Sequence, residues 1–439
     1  MAKRVKSGST GSTKGSNGGF DFLKFDEQLS KIKGFEAGSI IEINTFSEVD
    51  EWINTGNYLL NAQISGSLFG GLANSRALGL VGDPETGKTF LCLNFAREAQ
   101  KAGYDIIYCE TEGAVDRSSV AKLGVDTKRF RYQPIQTIQE FKEFAVRVID
   151  LIAKAREAGE NPKIMLFLDS LGMLNTTKEL NDAMEGKEAS DMGNKAKQLR
   201  ALFRVITLDL AKNKIPLIVT NHTTTGNIGA NATYGGPTKE SAGGDGPIFS
   251  LSTALILSKK FQMEENENKN SLDKKVKTGI IINSRPKKSR STIPITISIH
   301  VGFVGGMNPY VGLEDYLDWD ACGVGKGKIM TEKEYAKLGS KEGRPFVFTS
   351  MQENSKGEKK EVTENLVFVP SETGRWCVKH LGKSLSKGSM LFNDEVLTQS
   401  VLKDLDEAVI KKTFKLPDFV DQNELEGLTD DEDEDGEDE

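Results

Sequence analysis

The chain has 439 residues, an ordinary apolar content of 37% and a formal net charge of −7, which leaves room for one large domain or two to three ordinary ones. No apolar stretch is long enough to span a bilayer, the basic N-terminus runs into Gly and Ser and so does not read as a secretion signal, and Cys92, Cys109, Cys322, Cys377, His222, His300 and His380 lack zinc-site spacing, which fits reduced thiols in a cytosolic setting. The acidity is local, because from Asp430 to Glu439 every residue but Gly436 is acidic while Lys3, Arg4, Lys6 and Lys14 mark the other end, so a nucleic-acid partner is not excluded.

Residues 1–20 are rich in Gly, Ser and Lys and are expected to be disordered. In 21–55, Phe22, Phe25, Leu29 and Ile32 recur at roughly helical spacing. That segment reads as an oligomerisation element packed on a neighbouring subunit, or as a helix packed on its own domain. From 56 to 312 the pattern alternates strand and helix. Arg76–Val81 reads as a short buried strand, and Phe90–Ala102 as a helix with Leu91, Leu93, Phe95 and Ala99 apolar. Asp105–Cys109 and Phe130–Tyr132 read as strands, with a helix starting at Asp116 between them. Thr137 and Glu140 form a capping box. The helix it opens carries Ile138, Phe141, Phe144, Val148, Leu151 and Ile152 on one face and stops at Gly159.

Ile164–Leu168 is a continuous apolar run, as expected of a central strand buried on both faces. A long helix follows over about 191–213, with Leu199, Leu202, Phe203, Ile206 and Leu210 inward. Ile215–Thr220, Ala254–Ser258, Gly279–Asn283 and Pro294–Val301 read as further strands. The alternation predicts an α/β fold with a mostly parallel central sheet flanked by helices. After residue 312 the pattern weakens. Residues 313–420 form a smaller C-terminal region without assigned chemistry, and 421–439 an acidic tail expected to be disordered.

Gly82-Asp83-Pro84-Glu85-Thr86-Gly87-Lys88-Thr89 lies between a strand and a helix and matches G-x-x-x-x-G-K-[ST]. Its glycines let backbone N–H groups wrap a phosphate at a helix N-terminus. Lys88 is the candidate cation for the β- and γ-phosphates, and Thr89 a candidate Mg²⁺ ligand. Asp169, at the end of the 164–168 strand, can hold the same ion. Glu110 and Glu112 compete as the carboxylate that orients water. His222, after the 215–220 strand, opens a long Gly/Thr/Asn/Ser loop from 223 to 247 and is a candidate γ-phosphate sensor. The plainer alternatives are a strand-ending Asp that caps a turn, two solvated acids and a hydrogen-bonded turn histidine.

In this order the motifs resemble those of the RecA-type recombinases, and among them the UvsX recombinases of tailed phages. The resemblance is carried by Gly82–Thr89, Glu112–Asp116, Phe167–Gly172, Ser190–Met192, Leu202–Thr207, Asn221–Thr223 and Gly305–Tyr310. It covers about 50–315 well and implies a RecA-like ATPase core over 56–312. It also implies that Glu112, rather than Glu110, is catalytic, that Asp116 lies by the adenine, and that His222 roots the second DNA-binding loop. Residues 176–190 match the first such loop. Lys288 and Arg290 resemble the basic pair that reaches a neighbour's ATP across a filament interface; the plainer reading is an exposed basic hairpin.

Two departures stand beside the match. Gly113 follows Glu112 where a bulkier residue is expected. The second loop offers only Tyr234 and Lys239 as aromatic and base, so Gly235, Gly236, Gly243 and Gly244 are its candidate backbone contacts to phosphate.

The expected function is that of an ATP- and Mg²⁺-dependent recombinase that forms helical filaments on single-stranded DNA and pairs it with duplex DNA. A mediator or single-strand-binding protein is an expected partner. The expected location is the cytoplasm, that of the host if the protein is phage-encoded. A hexameric helicase motor is the alternative, and a nucleotide-gated scaffold with scant turnover the non-enzymatic one.

Overall fold

The computed structural model describes residues 28, 29, 31, 48–187, 192–225, 239–241, 246–265, 275–339, 342–353 and 359–417. The 1–20 tail, most of the 21–55 segment and the acidic tail lie outside them.

A nine-stranded sheet organises the chain. Its strands are Ala77–Gly82 (β1), Asp105–Glu110 (β2), Phe130–Pro134 (β3), Ile164–Asp169 (β4), Leu217–Asn221 (β5), Thr253–Glu265 (β6), Lys275–Lys288 (β7), Ile297–Gly302 (β8) and Gly306–Met307 (β9). The order is β9-β8-β7-β6-β1-β5-β4-β2-β3. From β6 to β3 the pairing is parallel. Strands β7 to β9 add antiparallel. This is the expected mostly parallel sheet, and β1 lies inside it.

The helices around it are Tyr58–Ser65 (α1), Lys88–Lys101 (α2), Arg117–Lys122 (α3), Ile138–Glu157 (α4), Thr177–Met184 (α5) and Met192–Lys212 (α6). Alternation along each strand splits the core in two. Met165 and Phe167 of β4 join Leu91, Phe95 and Ala99 of α2 in one cluster. Leu166 and Leu168 join Phe141 and Ile152 of α4 and Leu202 and Ile206 of α6 in the other. Two apolar faces on one strand are why its sequence reads as an unbroken apolar run.

Helix α4 opens with both halves of the Thr137–Glu140 capping box formed. Its expected face needs one correction. Leu151 is 66% exposed, because it sits about 120° around the helix from Ala145, at the middle of the buried stripe.

The β6–β7 hairpin extends well past its predicted strands, since its outer part pairs by backbone while carrying charged, exposed side chains. Its register shifts between Ala254 and Leu255, opposite Pro286. A shifted ladder accommodates a residue with no N–H to donate. Arg285 to Lys288 thus end a strand.

The C-terminal region forms an antiparallel sheet from Val324–Thr331 (β10), Arg344–Glu353 (β11), Lys359–Pro370 (β12), Arg375–Val378 (β13) and Lys383–Ser384 (β14). Trp319 stacks on Phe368 at 3.9 Å between ring centroids. Gln399–Leu405 (α7) continues through a π turn to Phe414. Leu402, Leu405, Ile410 and Phe414 are buried in the same cluster as Leu60, Leu78 and Phe95. Asp406 accepts hydrogen bonds from the Ser67 hydroxyl at 2.7 Å and the Leu68 N–H at 2.6 Å. No helix among the described residues is long and apolar enough to cross a membrane.

Candidate nucleotide-binding site

The phosphate loop leaves β1 and enters α2. A Cβ on Gly82 would lie 2.7 Å from both the Leu257 carbonyl and the Thr86 hydroxyl. Gly87 has φ +89°, and a Cβ there would lie 2.6 Å from Ile282. Neither position has room for a side chain, and the second also has a left-handed backbone. Thr86 donates to the Asp83 carbonyl at 2.9 Å. Glu85 pairs with Lys259 of β6 at 2.6 Å.

Lys88 is buried, with Nζ on the carbonyls of Gly82 and Asp83, both at 2.9 Å. Burial lowers its pKa, and the carboxylates of Asp169, Glu112 and Asp83 oppose that. The cation is thus stored on its own loop.

Asp169 ends β4 and accepts three hydroxyls. Thr89 and Tyr108 donate to Oδ2 at 2.8 and 2.6 Å, and Thr220 donates to Oδ1. One carboxylate and one hydroxyl beside an open cavity form a hard-oxygen donor pair that fits Mg²⁺, which keeps its other positions for phosphate and water. Among the described residues no group of three or more His, Cys, Asp and Glu stands ready for a metal.

The two competing acids separate by geometry. Glu110 is buried and accepts the N–H groups of Gly113 and Ala114 at 2.6 and 2.9 Å and the Tyr132 hydroxyl at 3.0 Å. Gly113, at φ +70°, makes the turn that brings those N–H groups back. Glu112 faces the cavity. Its Oε1 accepts from Ser170 at 2.7 Å and lies 2.8 Å from His222 Nε2. Burial raises its pKa, but the His222 and Ser170 contacts outweigh that and hold it below the usual carboxylate value.

Glu85, Gly87, Lys88, Thr89, Glu112, Asp169 and His222 line one cavity of about 390 Å³. Asp116 is not among its lining residues. It caps α3 through the Ser119 N–H at 2.9 Å and borders a second cavity with Val120, Phe130 and Tyr132. Lys288 and Arg290 also stand outside the lining, with Lys288 Nζ donating to the Phe249 carbonyl. Burial, then the charge of Arg290, lowers the Lys288 pKa.

Helix α5 occupies much of 176–190, with a second capping box at Thr176 and Glu179. Residues 226–238 and 242–245, with Tyr234, Gly235, Gly236, Gly243 and Gly244, lie outside the described residues. The sequence does not single out Tyr108 or Thr220, and Ser170 and Thr223 lie inside the quoted motifs without a role. Thr220 carried a signal, being polar within an apolar strand, and Thr223 donates to Asp83 of the phosphate loop.

A phosphate loop between a buried central strand and a helix, with acids at neighbouring strand ends, defines a P-loop nucleotide-binding protein of the α/β class. Residues 24–297 match the RecA N-terminal domain family. The chain belongs to that family. It is similar to the "Recombination and repair protein" of Enterobacteria phage T4, 30% identical over 276 residues, 62% of this chain and 64% of that protein. "Protein RecA" of Prochlorococcus marinus is 25% identical over 390 residues, 87% of this chain and 93% of that one. "Protein RecA" of Fusobacterium nucleatum is 26% identical over 245 residues, 55% and 60% of the two chains. The aligned part therefore spans less than two thirds of the phage and Fusobacterium proteins.

Proposed function

We propose that the protein is a DNA-dependent ATPase that assembles into filaments on single-stranded DNA and catalyses homologous pairing and strand exchange. The observation that carries this reading is the meeting of Lys88, Thr89, Glu112, Asp169 and His222 around one cavity in a RecA-family core. The printed descriptions of the relatives, a recombination and repair protein and RecA, support the same direction.

In this reading the loop N–H groups of Gly82–Thr89 bind the phosphates of ATP. Lys88 leaves its two loop carbonyls for the β- and γ-phosphate oxygens. Asp169 and Thr89 hold Mg²⁺, which when bound neutralises charge on those phosphates. Glu112 takes a proton from the attacking water onto its carboxylate, and the products are ADP and phosphate. Ser170 and His222 fix the direction in which that carboxylate points.

His222 lies beside the base, and the next residue touches the phosphate loop through Asp83. That continuity supports a route from the γ-phosphate to the second DNA loop. Lys288 and Arg290 act on a neighbour's nucleotide in the filament, where cations stabilise transition-state charge in trans. Asp116 approaches the adenine from the rim.

The partners in this reading are single-stranded and duplex DNA, further copies of the chain, and a mediator or single-strand-binding protein recruited in part by the acidic tail. The setting is the cytoplasm. The test is ATP turnover with and without single-stranded DNA, imaging of the same mixture, and a strand-exchange assay. DNA-stimulated turnover, filaments and exchanged strands are expected. Unwinding of a forked duplex without exchange would identify a helicase motor instead, and ATP binding without turnover a scaffold.

A further inference from the structure

Of the three hydroxyls on Asp169, the one from Tyr108 is the most constrained. Its ring is fully buried between Phe130 and Phe167, with centroids 5.4 Å away on either side and interplanar angles of 25° and 22°. Cys92, in α2, is buried in the same cluster. Stacking on both faces fixes the two side-chain torsions, so the hydroxyl reaches Asp169 with little freedom left to lose. It shares Oδ2 with Thr89, the hydroxyl at the cavity edge.

We propose that Tyr108 is a positioning residue for the divalent cation, holding the Asp169 carboxylate in the orientation that presents an oxygen to the ion beside Thr89. This rests on the nucleotide-binding reading above. Two effects oppose each other here. A donated hydrogen bond draws charge from the carboxylate and weakens its grip on a cation, while a fixed orientation strengthens it. Losing an outer partner of a metal ligand costs about 10–100-fold in metal affinity, so orientation wins.

Tyr108→Phe keeps the ring and its stacking and removes only the oxygen. Mn²⁺ titration of the ATP complex, read by electron paramagnetic resonance, should show affinity about tenfold weaker. The Mg²⁺ concentration giving half-maximal turnover should rise by the same factor, with kcat at saturating Mg²⁺ close to wild type. Unchanged Mn²⁺ affinity would overturn the proposal, as would a loss of kcat that excess Mg²⁺ fails to restore. Should that variant not fold, Phe130→Leu, which frees one face of the ring and keeps the hydroxyl, must weaken Mn²⁺ binding in the same direction; unchanged binding there also overturns it. A wild-type protein that forms no Mn²⁺–ATP complex defeats the nucleotide reading and this proposal with it, whereas a normal wild-type complex with unchanged affinity in Tyr108→Phe defeats this proposal alone.

Discussion

Glu110 and Glu112 stand two residues apart and face opposite tasks. Glu110 ties down the Gly113–Ala114 turn from inside the protein, while Glu112 lies at the cavity with Ser170 and His222 on its carboxylate. The first fixes the loop that aims the second.

That division gives a paired prediction. Glu112→Gln should lower ATP turnover about 10²–10⁴-fold, the worth of a general base, with ATP binding retained by fluorescence titration. Glu110→Gln should instead destabilise the fold by about 2 kcal/mol in denaturant melts, through weaker bonds to two N–H groups and a phenol. Equal loss of turnover in both, at equal stability, would contradict the assignment.

Lys88 sets a pH signature. Its pKa is lowered in the free protein, chiefly by burial, and phosphate oxygens would raise it again. ATP binding at alkaline pH should therefore take up a proton, and affinity should fall as pH rises through the lowered pKa. Calorimetry stepped through the alkaline range up to the ordinary lysine value, in two buffers of different ionisation enthalpy, measures this uptake. No proton uptake in that range would place the lysine away from the phosphates.

Lys288 and Arg290 make a prediction about subunits in mixture. Lys288→Ala with Arg290→Ala should leave ATP binding intact and lower DNA-stimulated turnover about 10³-fold, the low end for a cation acting in trans. Mixed with Glu112→Gln protein, which keeps both cations, part of the activity should return, because some sites then combine an intact base with an intact neighbour. Failure of the mixture to exceed either variant alone would remove the trans role.

Gly87→Ala tests the loop itself. The left-handed backbone costs an ordinary residue about 1–2 kcal/mol, and the new methyl meets Ile282 at 2.6 Å. The melting temperature should fall, and the stabilising shift normally given by ATP should vanish. A normal ATP-induced shift would show that the loop does not need this conformation.

The inner parallel strands were legible because they are buried on two apolar faces, and the phosphate loop because its glycines are required by backbone geometry. Asp169 was legible by position at a strand end, whereas position left Glu110 and Glu112 competing and only the family resemblance favoured Glu112. The C-terminal sheet was not, since its strands pack in part around Trp319 and Phe368 and leave long exposed edges with mixed polarity. Tyr108 and Ser170 were hidden for another reason. One reads as a core aromatic and the other as a turn residue, and only the fold reveals which carboxylates they touch.

The C-terminal helices finish a core that begins more than three hundred positions earlier, with Phe414 and Leu402 in one cluster with Leu60 and Leu78. The turn that ends at Phe414 is thus no dispensable appendage. Truncation upstream of Asp406 would strip the wall behind the nine-stranded sheet and remove the Asp406 contacts to Ser67 and Leu68, so a nascent chain cannot complete this part of its interior until these helices have been made.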